Sequence, residues 1–201
     1  MRLRSALVIV FLAVLIWSAV KPHDYFTWIL EVFPALIGIA ILFATRRAFP
    51  LTPLLYVLLL IHAVILMIGG HYTYAEVPLG FWMRDAFGFA RNHYDRIGHI
   101  AQGVVPAIVA REVLIRLKVV RGRGWLFAIV VSICLAISAA YELLEWSVSV
   151  ASGSKGDAFL GTQGDIWDTQ KDMALALIGA IVAQLVFARV HDRQLDGVVG
   201  S

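Results

Sequence analysis

GTQGDIWDTQKDM, residues 161–173, opens the last apolar segment of a very hydrophobic chain. Asp165, Asp168 and Asp172 stand three and four residues apart, so a helix beginning here projects all three from one face. A carboxylate stripe at the head of a membrane-length run is costly unless other polar groups meet it. Two further segments carry matching stripes, so the reading that decides the fold is helices burying these faces against one another.

Composition sets the class. Of 201 residues 60% are hydrophobic and 15% charged, with a mean hydropathy of +0.81, whereas a soluble domain carries about 25% charged residues. The chain reads as an all-α, polytopic transmembrane helical bundle, one integral membrane domain over residues 1–201. The net charge of +3 and pI near 9.2 come from basic residues dispersed between apolar segments, not from a patch, so no nucleic-acid partner is expected. Cys134 is alone, which excludes an intrachain disulfide, and its place in an apolar run gives it a packing role.

About six spans are expected, at roughly 5–20, 26–44, 51–70, 99–117, 125–150 and 171–190, each near the ~20 residues that cross a bilayer as a helix. The first has the basic start and apolar run of a signal peptide, but it leads into further spans and reads as an uncleaved helix. With alternating spans, Arg2, Arg4, Arg46, Arg47, Arg111, Arg116, Lys118, Arg121, Arg123, Arg189 and Arg193 fall on one side. The positive-inside rule makes that side, and both termini, cytoplasmic. Lys21, Arg84, Arg91, Arg96, Lys155 and Lys171 fall on the outer side with most of the acids. No internal repeat is visible, which counts against a transporter built from inverted halves. Between the third and fourth spans, Phe81, Trp82, Phe87 and Phe89 mix with Arg84, Asp85 and Arg91. That is the composition of an interfacial helix, or of an aromatic belt.

Three stripes carry the candidate chemistry. In RNHYDRIGHIAQG, residues 91–103, Asp95 and His99 are an i, i+4 pair whose face continues through Gln102 or Gly103. Asp95 or His93 beside His99 offers carboxylate and imidazole ligands for a metal ion; the bland alternative is a local interfacial salt bridge. In SAAYELLEWSVS, residues 138–149, Ser138, Glu142, Glu145 and Ser149 recur at intervals of four, three and four. A charge at mid-membrane costs roughly 2.5–3.5 kcal/mol, so these carboxylates must face protein or water. The third stripe is the aspartate series, continued by Gly179 and Ala183, which permit close helix contact. Favourable interaction with a helix dipole explains Asp165 or Asp168, but hardly Asp172.

Alternating topology brings Asp95, Glu142, Glu145, Asp165, Asp168 and Asp172 to one outer level. Such a set cannot stay ionised and unpaired in a low dielectric. A divalent cation (zinc, manganese or magnesium), protonation, or pairing with Arg91, Arg96, Lys171 and the histidines would compensate it. His71 and Tyr74 either reach this site or belong to the interface belt. His62 reads as a buried neutral histidine, and Glu112 with Arg116 as a structural pair.

GGHYTY at 69–74, RNHYDRIGH at 91–99 and the 161–173 stretch resemble the YjdF-like bacterial inner-membrane proteins over essentially the whole chain. The resemblance implies a multi-pass protein of the bacterial inner membrane and brings no known activity. More distantly, Asp95, Arg96 and His99, then Glu142 and Glu145, then Asp165, Asp168, Asp172 and Gly179 are similar to the pattern of the VanZ-like membrane proteins over the second half. Glu145 replaces a glutamine of that pattern, Asp172 an asparagine and Leu175 a glycine. That likeness implies a cell-envelope setting.

The expectation is a site open toward the outer leaflet, with Asp95, His99, Glu142 and Asp172 as metal ligands. Glu145 or Asp168 would be the general base and Arg96 would hold an anionic group; His71, His93 and Asp165 are secondary candidates. Its chemistry would be metal-dependent hydrolysis or group transfer on a lipid or envelope-linked substrate, in a chain surrounded by membrane lipids. The alternatives are a proton- or cation-coupled transporter working through Glu142 and Glu145, and a structural polar network. No oligomeric state is legible.

Overall fold

The computed structural model describes residues 2–152, 159 and 161–199; Lys155 lies outside the described residues. These form α1 (Arg2–Ala19), α2 (Tyr25–Thr45), α3 (Pro53–Tyr72), a 3-10 turn (Tyr74–Glu76), α4 (Pro78–Phe87), α5 (Tyr94–Arg116), α6 (Arg123–Ser152) and α7 (Asp168–Val199). No strand occurs among the described residues. The five helices α2, α3, α5, α6 and α7 are long and apolar enough to cross a membrane. With 18 residues, α1 is about 27 Å long, slightly short of a ~30 Å hydrocarbon core.

Local chemistry sets the helix starts. Asp24 is an extended N-cap whose Oδ2 accepts the Thr27 amide at 2.7 Å, and this bond to an orphan donor holds the Asp24 carboxyl below the ordinary carboxylate range. Pro53 and Pro78 open α3 and α4, where a missing amide costs nothing. Gly88 ends α4 at φ +68°, a backbone state that glycine adopts without strain. The aromatic stretch between the third and fourth apolar segments thus contains a short helix, with Leu79, Trp82 and Phe87 exposed.

Two helix boundaries differ from the sequence expectation. Helix α5 starts at Tyr94, not near 99, because Asn92 Oδ1 accepts the Tyr94 amide at 3.0 Å and organises the turn ahead of the apolar run. Helix α7 continues to Val199, well past 190. Its polar extension is docked, not frayed: His191 and Leu195 are buried, and Gln194 Oε1 accepts the Leu54 amide at 2.8 Å.

Helices α5 and α7 run parallel and form the most extensive pairing, with α6 returning antiparallel against both; α3 packs on α5, and α1 and α2 pack on α3. The α5–α7 pair is unusually close. A Cβ on Gly103 would sit 2.0 Å from the Ala176 carbonyl oxygen, and one on Gly179 would sit 2.5 Å from that of Ile100. Only glycine allows these backbones to touch. Leu55, Ile108, Val130, Cys134, Ala180 and Ala183 close the core beside the crossing.

At the C-terminal end of the pair a second polar cluster is buried. His191 Nε2 donates to Glu112 Oε2 at 3.0 Å, and His191 Nδ1 accepts from Arg111 at 2.8 Å. Glu112 also accepts from the Thr52 amide and hydroxyl and from Arg116.

Gly103→Val should therefore abolish the folded peak in detergent gel filtration, while Gly124→Ala, where a Cβ meets nothing within 4 Å, should leave it intact. A folded Gly103→Val protein would show that the crossing is not obligatory. Asp24→Ala should cost about 1 kcal/mol, less solvent screening. Because the folded pKa is lowered, that loss should appear fully above the ordinary carboxylate range and vanish as pH falls through the lowered value. Thermal melts across pH would check it.

Candidate functional site

The N-terminal turns of α5 and α7 are locked together before any site chemistry begins. Asn92 donates to the Val77 carbonyl at 3.0 Å, and its side chain fills the space beside Gly80, where a Cβ would clash. Gln163 Nε2 donates to the Asn92 carbonyl at 2.9 Å, and Arg91 donates to the Thr162 carbonyl. This ties the loop before α7 to the approach to α5.

The six expected carboxylates divide into two groups. In the outer group, Arg96 bonds Asp172 at 2.9 Å, Asp168 at 2.8 Å and Asp165 at 3.2 Å. Arg91 pairs with Asp168, and Lys171 with Asp165 at 2.6 Å. Three cations thus serve three aspartates. The Lys171 ammonium and the Trp167 amide hold the Asp165 carboxyl below its ordinary range.

The inner group lacks such balance. Around His99 Nε2 lie Asp95 Oδ1 at 3.3 Å, Glu142 Oε1 at 3.7 Å and Asp172 Oδ2 at 3.9 Å. One ligand atom each from Asp95, His99 and Asp172 falls within 4.8 Å of the others. His99 Nδ1 lies 3.2 Å from Gln102 Oε1, so one ring nitrogen is held by Gln102 while the other faces the carboxylates. Along α6, three polar atoms (Ser138 Oγ, Tyr141 Oη and Glu142 Oε1) are buried without a hydrogen-bond partner. Buried polar atoms are rarely left so.

Glu145 is buried within electrostatic range of Asp95, Glu142 and Asp172. Glu31 on α2 is also buried and lies in range of Asp95 and His99. Among the described residues neither has a basic side chain at ion-pair distance. Tyr74 wedges its ring into a slot between Gly69 and Gly98 and faces the same cluster. Thr73, at φ +67°, holds the backbone in a sparsely populated conformation that aims Tyr74 inward.

The structure brings Asp95, Arg96, His99, Glu142, Glu145, Asp165, Asp168 and Asp172 together, with Arg96 and Asp168 engaged in ion pairs. His71 stands apart, bonded through Nδ1 to the Ser18 carbonyl at 3.0 Å and packed at a tilt against Trp17. His93 also stays outside, stacked on Phe89 at 4.6 Å, its pKa lowered by burial and by Arg91 and Arg96. Glu31 and Tyr141 escaped the sequence reading. The signal for Glu31 was a lone acid in an otherwise apolar span; Tyr141 had none.

The description "predicted membrane protein (DUF2238)" belongs to a family that matches residues 3–193. Inner membrane protein YjdF of Escherichia coli (strain K12) is 53% identical over 182 residues, covering 90% of this chain and 87% of that protein. No solved structure matches the chain.

Removing Arg96 would leave the buried Asp172 without its only Arg or Lys partner among the described residues, a loss of about 3–5 kcal/mol. Arg96→Gln should thus lower the melting temperature sharply. Lys171→Gln, at an exposed pair, should barely move it. Equal melts for the two variants would show that Arg96 does not neutralise the aspartates.

Proposed function

Because the chain belongs to the DUF2238 family of predicted membrane proteins, a buried polar cluster in it must be compensated within the bilayer, and we propose that a divalent cation does so. Asp95, His99, Asp172 and Glu142 are its ligands. The observation that carries this reading is the convergence of three ligand atoms within 4.8 Å beside the unpartnered Glu142 Oε1. Two or three carboxylates and one imidazole suit zinc, manganese or magnesium.

The chain is a multi-pass inner-membrane protein of six spans, α1 being the first, with both termini cytoplasmic. The basic residues at the foot of α5 and α6 and at both chain ends support that orientation. The site then lies near the outer leaflet, with α4 in the interface. Its reaction is a metal-dependent hydrolysis or group transfer on a lipid or envelope-linked substrate. A cation held by these residues would supply Lewis acidity toward a phosphoryl or carbonyl oxygen and toward water. A groove of about 620 Å³ between α6 and the start of α7 supports this substrate class: Glu142, Asp168 and Thr169 lie among Leu143, Trp146 and Met173. Glu145, buried beside the ligands and outside the ion pairs, is the general base. Arg96 positions Asp172, and Asp168 serves the ion-pair group.

Elemental mass spectrometry on purified protein tests the proposal. Wild type should carry close to one equivalent of metal. His99→Gln and Glu142→Gln should lose it while melting as a folded protein, and Asp165→Asn should keep it. Folded wild type that neither carries metal nor takes up added zinc, manganese or magnesium would overturn the reading in favour of a proton-neutralised polar network.

A further inference from the structure

Away from this site, α1 and α2 both rest on α3 and leave between them a groove of about 260 Å³ with almost wholly apolar walls. It runs beside Phe11, Ala35, Gly38 and Leu59 and ends at Arg4 and Arg46. The two helices are antiparallel, so the arginine before the apolar run of α1 and the one after α2 share an end. Among the described residues no carboxylate lines the groove, and neither arginine has an acidic partner. The Arg4 guanidinium lies 4.9 Å over the Tyr56 ring, and that of Arg46 lies 3.6 Å over Phe43.

Two unneutralised guanidinium groups at the mouth of an apolar slot match one chemistry, an anionic head on a hydrocarbon chain. The volume is below the roughly 300–1,000 Å³ that encloses a whole small ligand, which suits one acyl chain lying along the slot. We infer that this groove is a binding site for an anionic phospholipid, its phosphate between Arg4 and Arg46 and one acyl chain along Gly38. On the orientation proposed above, the lipid comes from the cytoplasmic leaflet.

Gly38 supplies a clean probe, because a Cβ there meets nothing within 4 Å. Gly38→Leu should fill the slot without disturbing packing. Native mass spectrometry of the full chain, titrated with phosphatidylglycerol or phosphatidylcholine, reads the site. Wild type should bind one phosphatidylglycerol in preference to phosphatidylcholine. Removing each arginine, as Arg4→Gln and Arg46→Gln, should weaken phosphatidylglycerol about fivefold, and Gly38→Leu should remove the high-affinity lipid altogether. Equal phosphatidylglycerol binding in wild type, Gly38→Leu and the double arginine variant would overturn the proposal, leaving only non-specific boundary lipid. A wild-type dimer that Gly38→Leu converts to monomer would also overturn it, making the occupant a second copy of the chain.

Discussion

The backbone contact between α5 and α7 is the constraint on which the other features depend. Helices ordinarily pack with axes 8–10 Å apart. Here Gly103 lies against Ala176 and Gly179 against Ile100, with no room for a side chain at either glycine. That closeness lets short aspartates on α7 reach Arg96 and His99 on α5. The same crossing carries Glu112 to His191 at the other end. One contact of small residues therefore registers two polar clusters, and a wider crossing would leave both without partners inside an apolar bundle.

Magnitudes explain why the two groups of carboxylates differ in kind. The outer aspartates are matched by Arg91, Arg96 and Lys171, so their burial is already compensated. The inner set places Asp95, Glu142 and Glu31 within range of a single imidazole, with Glu145 in range of the same carboxylates. At mid-membrane insertion costs, four uncompensated charges amount to on the order of 10 kcal/mol, comparable to the whole stability of a typical domain. Neutralisation is thus a condition of folding, and the choice lies between bound protons and a bound cation. Gln102 fixes the orientation of the His99 ring, so that Nε2 faces the carboxylates in either case.

Much of this was legible in the sequence because the groups that meet are repeated at helical spacing. Asp165, Asp168 and Asp172, and likewise Glu142 and Glu145, announce a face before any partner is known. The face of Gly179 and Ala183 was readable for the same reason. What stayed hidden has no local signature. Glu31 has no charged neighbour three or four residues away to mark a stripe, only Thr27, and Tyr141 looks like any aromatic in an apolar helix. Glu112 shows its pairing with Arg116 four residues on, but not His191, whose contact across 79 positions exists only through the crossing. The length of α7 was misread because apolar periodicity stops near 190 while the helix continues on docking contacts.

The two clusters also bear on how the bundle is used. His99 and Glu112 stand thirteen residues apart on α5, about 20 Å along the axis. Between them Val105, Ala107 and Ile108 of α5 meet Val130 and Cys134 of α6 and Ala180 and Ala183 of α7, all almost completely buried. A proton relay needs a chain of titratable groups across that interval, and among these seven residues the Cys134 thiol alone is ionisable. The far cluster is closed as well, since Glu112 takes donors from Thr52, Arg116 and His191. It acts as a saturated clamp on the foot of the bundle. The unpartnered oxygens of Ser138, Tyr141 and Glu142 stand at the opposite end, so within the α5–α6–α7 core the capacity to take a ligand lies on one side of an apolar seal. That asymmetry favours a site worked from one face over a passage through the bundle.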